Sequence, residues 1–587
     1  MTLRPIAFAS PTGRADRPAR LIGGGGSRWR RGLCAATALA TALTVGGPLP
    51  AAAQSGAAPL PAAPVVRLPA LGESASDEFN LSAEKRLGEQ IMRDIRRDPD
   101  YLDDPQLLDY LQSIWQPLVK AAKARGDISA DSVMLFPYES FLVRDRTVNA
   151  FALPGGYVGV HLGLIAMTAS RDELASVLAH ELSHITQRHI ARSISASSRA
   201  STLGIAATIL AVLAAARSSS VDAANAAIVG GQAAMAQAQL NFSRDMEREA
   251  DRNGIMLMTG AGFAPSGMAA MFEKLDQANH LNDNGSFPYL RSHPLTTERI
   301  GEARQRIDSL ASAGSAGGAP LLHTLMQTRA RVLMDASSSA LRRLQSLDSR
   351  GAQTTLPLAE RVASLYGAAL ASLQLRELPR AEQTTRDALA LLAPAGDGAA
   401  SAAANAPATT SASTTSNAAS TAAARHCLAE LAAQVALARG DVGAARLALA
   451  GWPDQGSELS RSELLLRAQL ALSDGSALAL RQSSEALQTW VADHRQDASA
   501  WQALSQAATR QGQPLQAARA EAESQAALGN LRGAIDRLQA GQQMARQRGN
   551  SADFIEASVI DARLRELMGQ RRELQSDQRK SGASPEN

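Results

Sequence analysis

His180, Glu181 and His184 stand in the run His-Glu-Leu-Ser-His, two imidazoles four positions apart with a carboxylate beside the first. Leu174, Val177, Leu178, Leu182 and Ile185 recur around them at helical spacing, so the segment 172–190 is predicted to be a helix. On a helix four residues span about 1.1 turns, which points both imidazoles from one face and lets them hold one zinc ion. Glu181, one residue on, can approach a water held by the metal rather than the metal itself. A zinc hydrolase needs a third protein ligand and keeps one position open for water. The best candidate lies 63 residues past His184, in Arg244–Asp251, which leads into apolar Ile255, Met256 and Leu257. Glu247 and Asp251 are four apart and share a helical face, whereas Glu249 is about 200° from Glu247 around the helix. Glu247 is therefore the candidate ligand. Asp251 fits behind it, where it could orient His180 or His184.

Elements on either side must position these groups. Asn149 to Gly156 reads as a strand and glycine turn, and Tyr157 to Val160 as a second strand. This hairpin is expected to offer the edge on which a peptide binds as an added strand. Leu203–Ala216 is fourteen uncharged residues, too short for a confident membrane span. It suits a buried helix, a lid, or a peripheral membrane contact. Ser292-His293-Pro294-Leu295 and Arg299 follow later in the chain.

H-E-x-x-H followed by E-x-x-x-D resembles the HtpX-like and CAAX-prenyl-protease-like zinc metallopeptidases. The strand and turn at 149–156 and the His-Pro segment with Arg299 resemble that family too, so the likeness covers about 76–310. It implies a zincin-like domain with a small β-sheet and one zinc per chain, held by His180, His184 and Glu247. It makes Glu181 the general base and Asp251 a proton donor. It implies that His293 fills the open zinc position as a latch, or that His293 and Arg299 stabilise the transition state. His161, His189, His280, His323, His426 and His494 are read as non-ligands, His189 because a continuing helix would turn it about 140° from His184.

The whole chain has 587 residues, 45% hydrophobic and 20% charged, which excludes wholesale disorder. Aromatics at 4% favour Ala-rich helices over a β-sandwich. Two cysteines exclude a disulfide scaffold. Seven arginines and one acid lie in residues 1–53, so the net charge of +3 leaves the remainder slightly acidic, with no reason to expect nucleic acid. Arg28, Arg30 and Arg31, the uncharged run 32–45 and Ala51–Ala53 read as a signal peptide at 1–53, with export to the periplasm. Residues 54–75 read as a flexible lead-in, 76–310 as the peptidase domain and 311–320 as a linker. From 321 to 580 the pattern is helical, with a low-complexity insertion expected to be disordered at 395–424. Gly440 with Ala445 and Gly512 with Ala517 share a five-residue spacing. Arg376 and Ala381 repeat it with arginine at the turn, the pattern of tetratricopeptide-like repeats. The expected fold is thus mainly α: a zincin-like domain, then a helical solenoid. Together these features resemble the family's periplasmic members. They imply unfolded or misassembled outer-membrane proteins as clients, and the β-barrel assembly machinery as a partner through the repeats. The alternative is chiefly a chaperone or assembly scaffold with latent proteolysis.

Overall fold

The computed structural model describes residues 79–196, 243–281, 287–310, 320–351, 354–393, 411–450, 459–548 and 553–580. The expected signal segment 1–53, the lead-in 54–75, the apolar run 203–216 and residues 311–319 of the linker lie outside them. The fold is mainly α, with one four-stranded sheet in the order β1-β2-β4-β3.

The helix α1 (Leu81–Ile95) opens on Asn80, whose side chain accepts from the Ala83 N–H. The strand β1 (Tyr101–Leu102) pairs antiparallel with β2 (Glu139–Val143), and α2 (Pro105–Arg125) and α3 (Ala130–Leu135) lie between them in sequence. The strands β3 (Ala150–Leu153) and β4 (Tyr157–His161) form an antiparallel hairpin closed by the Leu153–Tyr157 pair. Its loop places Gly155 and Gly156 at φ 78° and 91°, which side-chain-bearing residues rarely adopt. β4 also pairs parallel with β2 and is buried along its length, so β4 is a core strand and the open edge of the hairpin is β3. Beyond the sheet come α4 (Leu162–Met167), α5 (Arg171–Thr186), α6 (His189–Ala196), α7 (Arg244–Gly260), α8 (Ser266–Leu281), α9 (Pro288–Ser292) and α10 (Thr297–Leu310). The helix α5 sits in the middle, packed against β3, α2, α7 and α8.

The later helices run in antiparallel pairs, among them 358–374 with 378–391 and 498–510 with 514–527. The turns at Arg376, Gly440 and Gly512 are all left-handed, with φ of 62°, 80° and 71°. Five residues after each, Ala381, Ala445 and Ala517 are buried. Residues 411–424 are helical, the first half of a helix over Ser411–Arg439, which corrects the expectation of disorder there. Alanine is the best helix former, and the buried Ala424 gives the segment a packing face. Residues 395–410 lie outside the described set.

One hydrophobic cluster runs through both regions: Leu107, Leu111 and Trp115 of α2, Leu164 of α4, then Leu325, Tyr366 and Leu428. Polar contacts reinforce the joint. Arg329 donates to both oxygens of Asp104 at 2.6 and 2.7 Å and to the Tyr366 hydroxyl. Arg461 forks onto Asp103 and Asp497. Among the described residues no helix is long and apolar enough to cross a membrane.

Candidate metal centre and active site

Ser170 starts α5, its hydroxyl accepting from the Glu173 N–H. The helix is buried on every side from Glu173 to Ile185. His180 and His184 leave it one turn apart, and their Nε2 atoms lie 3.0 Å from each other. The helix α7 crosses α5 closely at Gly254, where a Cβ would come within 3.4 Å of the His180 backbone nitrogen. That crossing delivers Glu247 and Asp251, both buried, on the face toward α5, while the Glu249 side chain is 30% exposed. His293 caps the short helix α9 and stacks on Tyr289, ring centroids 4.7 Å apart.

These elements bring His180, His184, Glu247 and His293 together, all buried, with one ligand atom of each within 4.8 Å of the others. Glu247 oxygens lie 3.5 Å from His180 Nε2 and 3.4 Å from His184 Nε2. His293 Nδ1 is 3.3 Å from His180 Nε2 and 3.0 Å from Glu247 Oε1. A tetrahedron with zinc–ligand bonds of about 2.0–2.1 Å has edges of about 3.3–3.4 Å. Three imidazoles and a carboxylate at these separations therefore fit a zinc ion, and zinc's preferred donors are those present.

The surrounding contacts orient the set. His180 Nδ1 is 2.9 Å from Asp251 Oδ1 and donates to it, leaving Nε2 for a metal. Arg299 of α10 is buried and locked: Nε and Nη2 donate to Asp251 at 2.7 and 2.8 Å, and Nη1 lies 2.8 Å from Glu247 Oε2. Glu181 accepts from the Ala152 N–H of β3 at 3.0 Å, and its other oxygen is 3.5 Å from His293 Nε2. Burial lifts the Glu181 pKa, as suits a base that must take up a proton. Burial disfavours charge on His180, but hydrogen bonds to Asp251 and Glu247 outweigh it and raise that pKa to about 10 in the metal-free protein. Burial also opposes charge on Asp251, yet Arg299 and His180 hold its pKa below the usual carboxylate range. Asp251 thus has hydrogen-bond donors on both of its oxygens.

The remaining histidines fall outside the cluster. His161 meets Thr147, His323 bridges Tyr110 and the Thr168 carbonyl, and His494 stacks on Trp490. His426 lies beside Glu430 and Glu463, and the side chain of His280 is outside the described set. His189 is closer than a continuing helix allows: its Nδ1 is 2.9 Å from His184 Nδ1. The helix breaks first, because Arg188 takes φ 52°. Nothing in the sequence marked that arginine as a turn.

A family model described as peptidase family M48 matches residues 105–307. The chain is similar to the beta-barrel assembly-enhancing protease of Escherichia coli (strain K12), 33% identical over 276 residues, 46% of this chain and 52% of that one. The beta-barrel assembly-enhancing protease of Yersinia pestis is 31% identical over 356 residues, 60% of this chain and 68% of that one. The mitochondrial metalloendopeptidase OMA1 of Schizosaccharomyces pombe is 36% identical over 169 residues, 28% of this chain and 44% of that one. The chain thus spans about half the length of most of the curated relatives it matches.

Proposed function

We propose, because the chain belongs to peptidase family M48, that it is an exported zinc metalloendopeptidase acting on proteins bound for the outer membrane. The observation that carries the reading is the convergence of His180, His184 and Glu247 beside Glu181, at the open edge of β3. When bound there, zinc would polarise a peptide carbonyl and lower the pKa of a coordinated water toward about 7. His180, His184 and Glu247 would hold it. Glu181 takes the proton of the attacking water and passes it to the leaving amine. Its contact with Ala152 puts the base next to the backbone on which an extended peptide would add as a strand. Main-chain pairing reads many sequences, which suits clients recognised by being unfolded. Asp251 acts through His180, and Arg299 through Asp251 and Glu247; both are positioning residues in this scheme.

His293 supports a latent resting state. Its Nδ1 lies 3.3 Å from His180 Nε2 and 3.0 Å from Glu247 Oε1, so it would compete with water for a bound zinc. Release of His293 would start proteolysis. While it stays, the paired helices, read as tetratricopeptide-like repeats, would serve chiefly to hold clients and to meet the assembly machinery. The names of the Escherichia coli and Yersinia pestis relatives support that setting, and the arginine-led segment 1–53 supports export to the periplasm.

The test is zinc content and casein cleavage by the mature chain, beside Glu181→Gln. Both proteins should carry one zinc, and the variant should lose about 10²–10⁴ in rate, the value of a general base. Cleavage by Glu181→Gln at the wild-type rate, or no zinc in either protein, would reject the reading.

A further inference from the structure

The ligand His184 is backed by a second imidazole. After α5 ends at Thr186, Arg188 adopts φ 52° and is clamped by its side chain, Nε to Glu84 Oε2 at 3.1 Å and Nη2 to the Phe79 carbonyl at 2.8 Å. That turn swings His189, fully buried, back over α5. Its Nδ1 meets His184 Nδ1 at 2.9 Å, and its Nε2 meets Glu249 Oε2 at 3.1 Å. Arg192 Nη1 donates to the same oxygen at 3.2 Å.

The proton positions in this chain follow from its two ends. A carboxylate only accepts, so His189 Nε2 carries hydrogen and donates to Glu249. His189 Nδ1 is then an acceptor, and His184 Nδ1 must donate to it. That leaves His184 Nε2 with its lone pair aimed at the cluster formed with His180 and Glu247. His180 reaches the same condition through Asp251 directly. Glu249 points away from Glu247 on α7 and bonds His189, so His189 spans the gap to His184. One stretch of α7 thereby supplies a ligand, Glu247, and two orienting acids, Glu249 and Asp251.

We propose that His189 and Glu249 are positioning residues that fix the tautomer and aim of His184, an inference that rests on His184 being a zinc ligand. Outer contacts of this kind typically change metal affinity by about 10–100-fold. His189→Ala should weaken zinc binding by that factor, and Glu249→Ala, partly solvated, by about tenfold. His189→Asn offers His184 an acceptor in the place of Nδ1 but cannot reach Glu249. It should restore most of the affinity and make Glu249→Ala silent in its background.

The experiment is zinc affinity of the full mature chain by competition with a chromophoric chelator, paired with urea unfolding of each metal-free variant. A purely structural His189 would lower metal-free stability and leave affinity per folded molecule unchanged, which would overturn the proposal. Equal cost of Glu249→Ala in the wild-type and His189→Asn backgrounds would overturn it too. If His189→Ala does not fold, the Glu249→Ala comparison decides alone. A wild-type chain that binds no zinc would instead overturn the peptidase reading.

Discussion

Arg299 tests whether the site is held by its buried ion pairs. The guanidinium is 4% exposed and lies between two carboxylates, with two bonds to Asp251 and one close approach to Glu247. Arg299→Met keeps much of the side-chain volume and removes the charge. Each hydrogen bond to a charged group is worth about 1.5–3 kcal/mol, but three made by one group do not add. Breaking a buried pair by deleting one partner costs about 3–5 kcal/mol, because the other charge stays buried. That is a large share of the ~5–15 kcal/mol that holds a domain folded. The loss should be greatest in metal-free protein, since zinc at Glu247 replaces part of the missing positive charge. Arg299→Lys should recover only part, because an ammonium cannot fork onto Asp251. Acid adds a second signature. Asp251 titrates below its unfolded value, so its contribution is present above the unfolded pKa and fades as pH falls through the folded one. Arg299→Met should flatten that acid limb. The assay is urea unfolding with and without zinc across pH 3–7. A loss under about 1 kcal/mol without zinc, the range of an exposed pair, would refute the reasoning. So would a fall in turnover with stability and zinc affinity intact, which would place Arg299 on the transition state.

Glu247→Ala should lower zinc affinity by about 100-fold or more, exceeding the loss at Glu249→Ala; chelator competition reads both, and the reverse order would mean the third ligand is misassigned. His293→Ala should raise casein cleavage with zinc content unchanged, because three ligands remain and the fourth position opens. Lower activity with zinc retained would reject the latch. Glu430, buried between Gln106 and Ser462, has its pKa pushed by burial up to about 8. The folded chain then keeps a proton that the unfolded chain releases near pH 4–5, so this group makes stability fall as pH rises from about 5 to 8, by at most ~1.4 kcal/mol per unit. Glu430→Gln should remove that slope and stabilise the chain at pH 8; an unchanged slope in urea titrations would count against it.

The clustering of His180, His184 and Glu247 was legible because its parts are local. Four-residue spacings on α5 and α7 fix which side chains share a face, and helical geometry carries the rest. The same rule misplaced His189, since the turn at Arg188 is held by Glu84 and the Phe79 carbonyl, about a hundred residues upstream. Asp251 was visible as a neighbour of the ligands. Its ion pair was not, because Arg299 arrives from another helix. The hairpin was readable from its glycines, but only pairing with β2 shows that β4 is interior and β3 is the open edge. Turn residues marked the helix pairs even where Arg376 replaces glycine.

The boundary near 311–320 shows where composition stops informing. A small-residue stretch reads as a linker, and the core on its two sides is continuous. Asp104 caps α2 by accepting from the Leu107 N–H and is neutralised by Arg329, so one carboxylate serves both regions. Gln106 touches Glu430, and His323 reaches Tyr110 of α2 and the carbonyl that ends α4. The helix α2 packs on α5, which carries the two histidines. A chain cut at Leu310 would uncover Leu107, Leu111 and Leu164, and would leave Asp104 without its cation, on the helix that packs against the one carrying His180 and His184. An apolar stripe tells which face of a helix is buried; it does not tell which helix buries it. Here the partner is the later helical region, so the candidate metal cluster and those paired helices stand on one core.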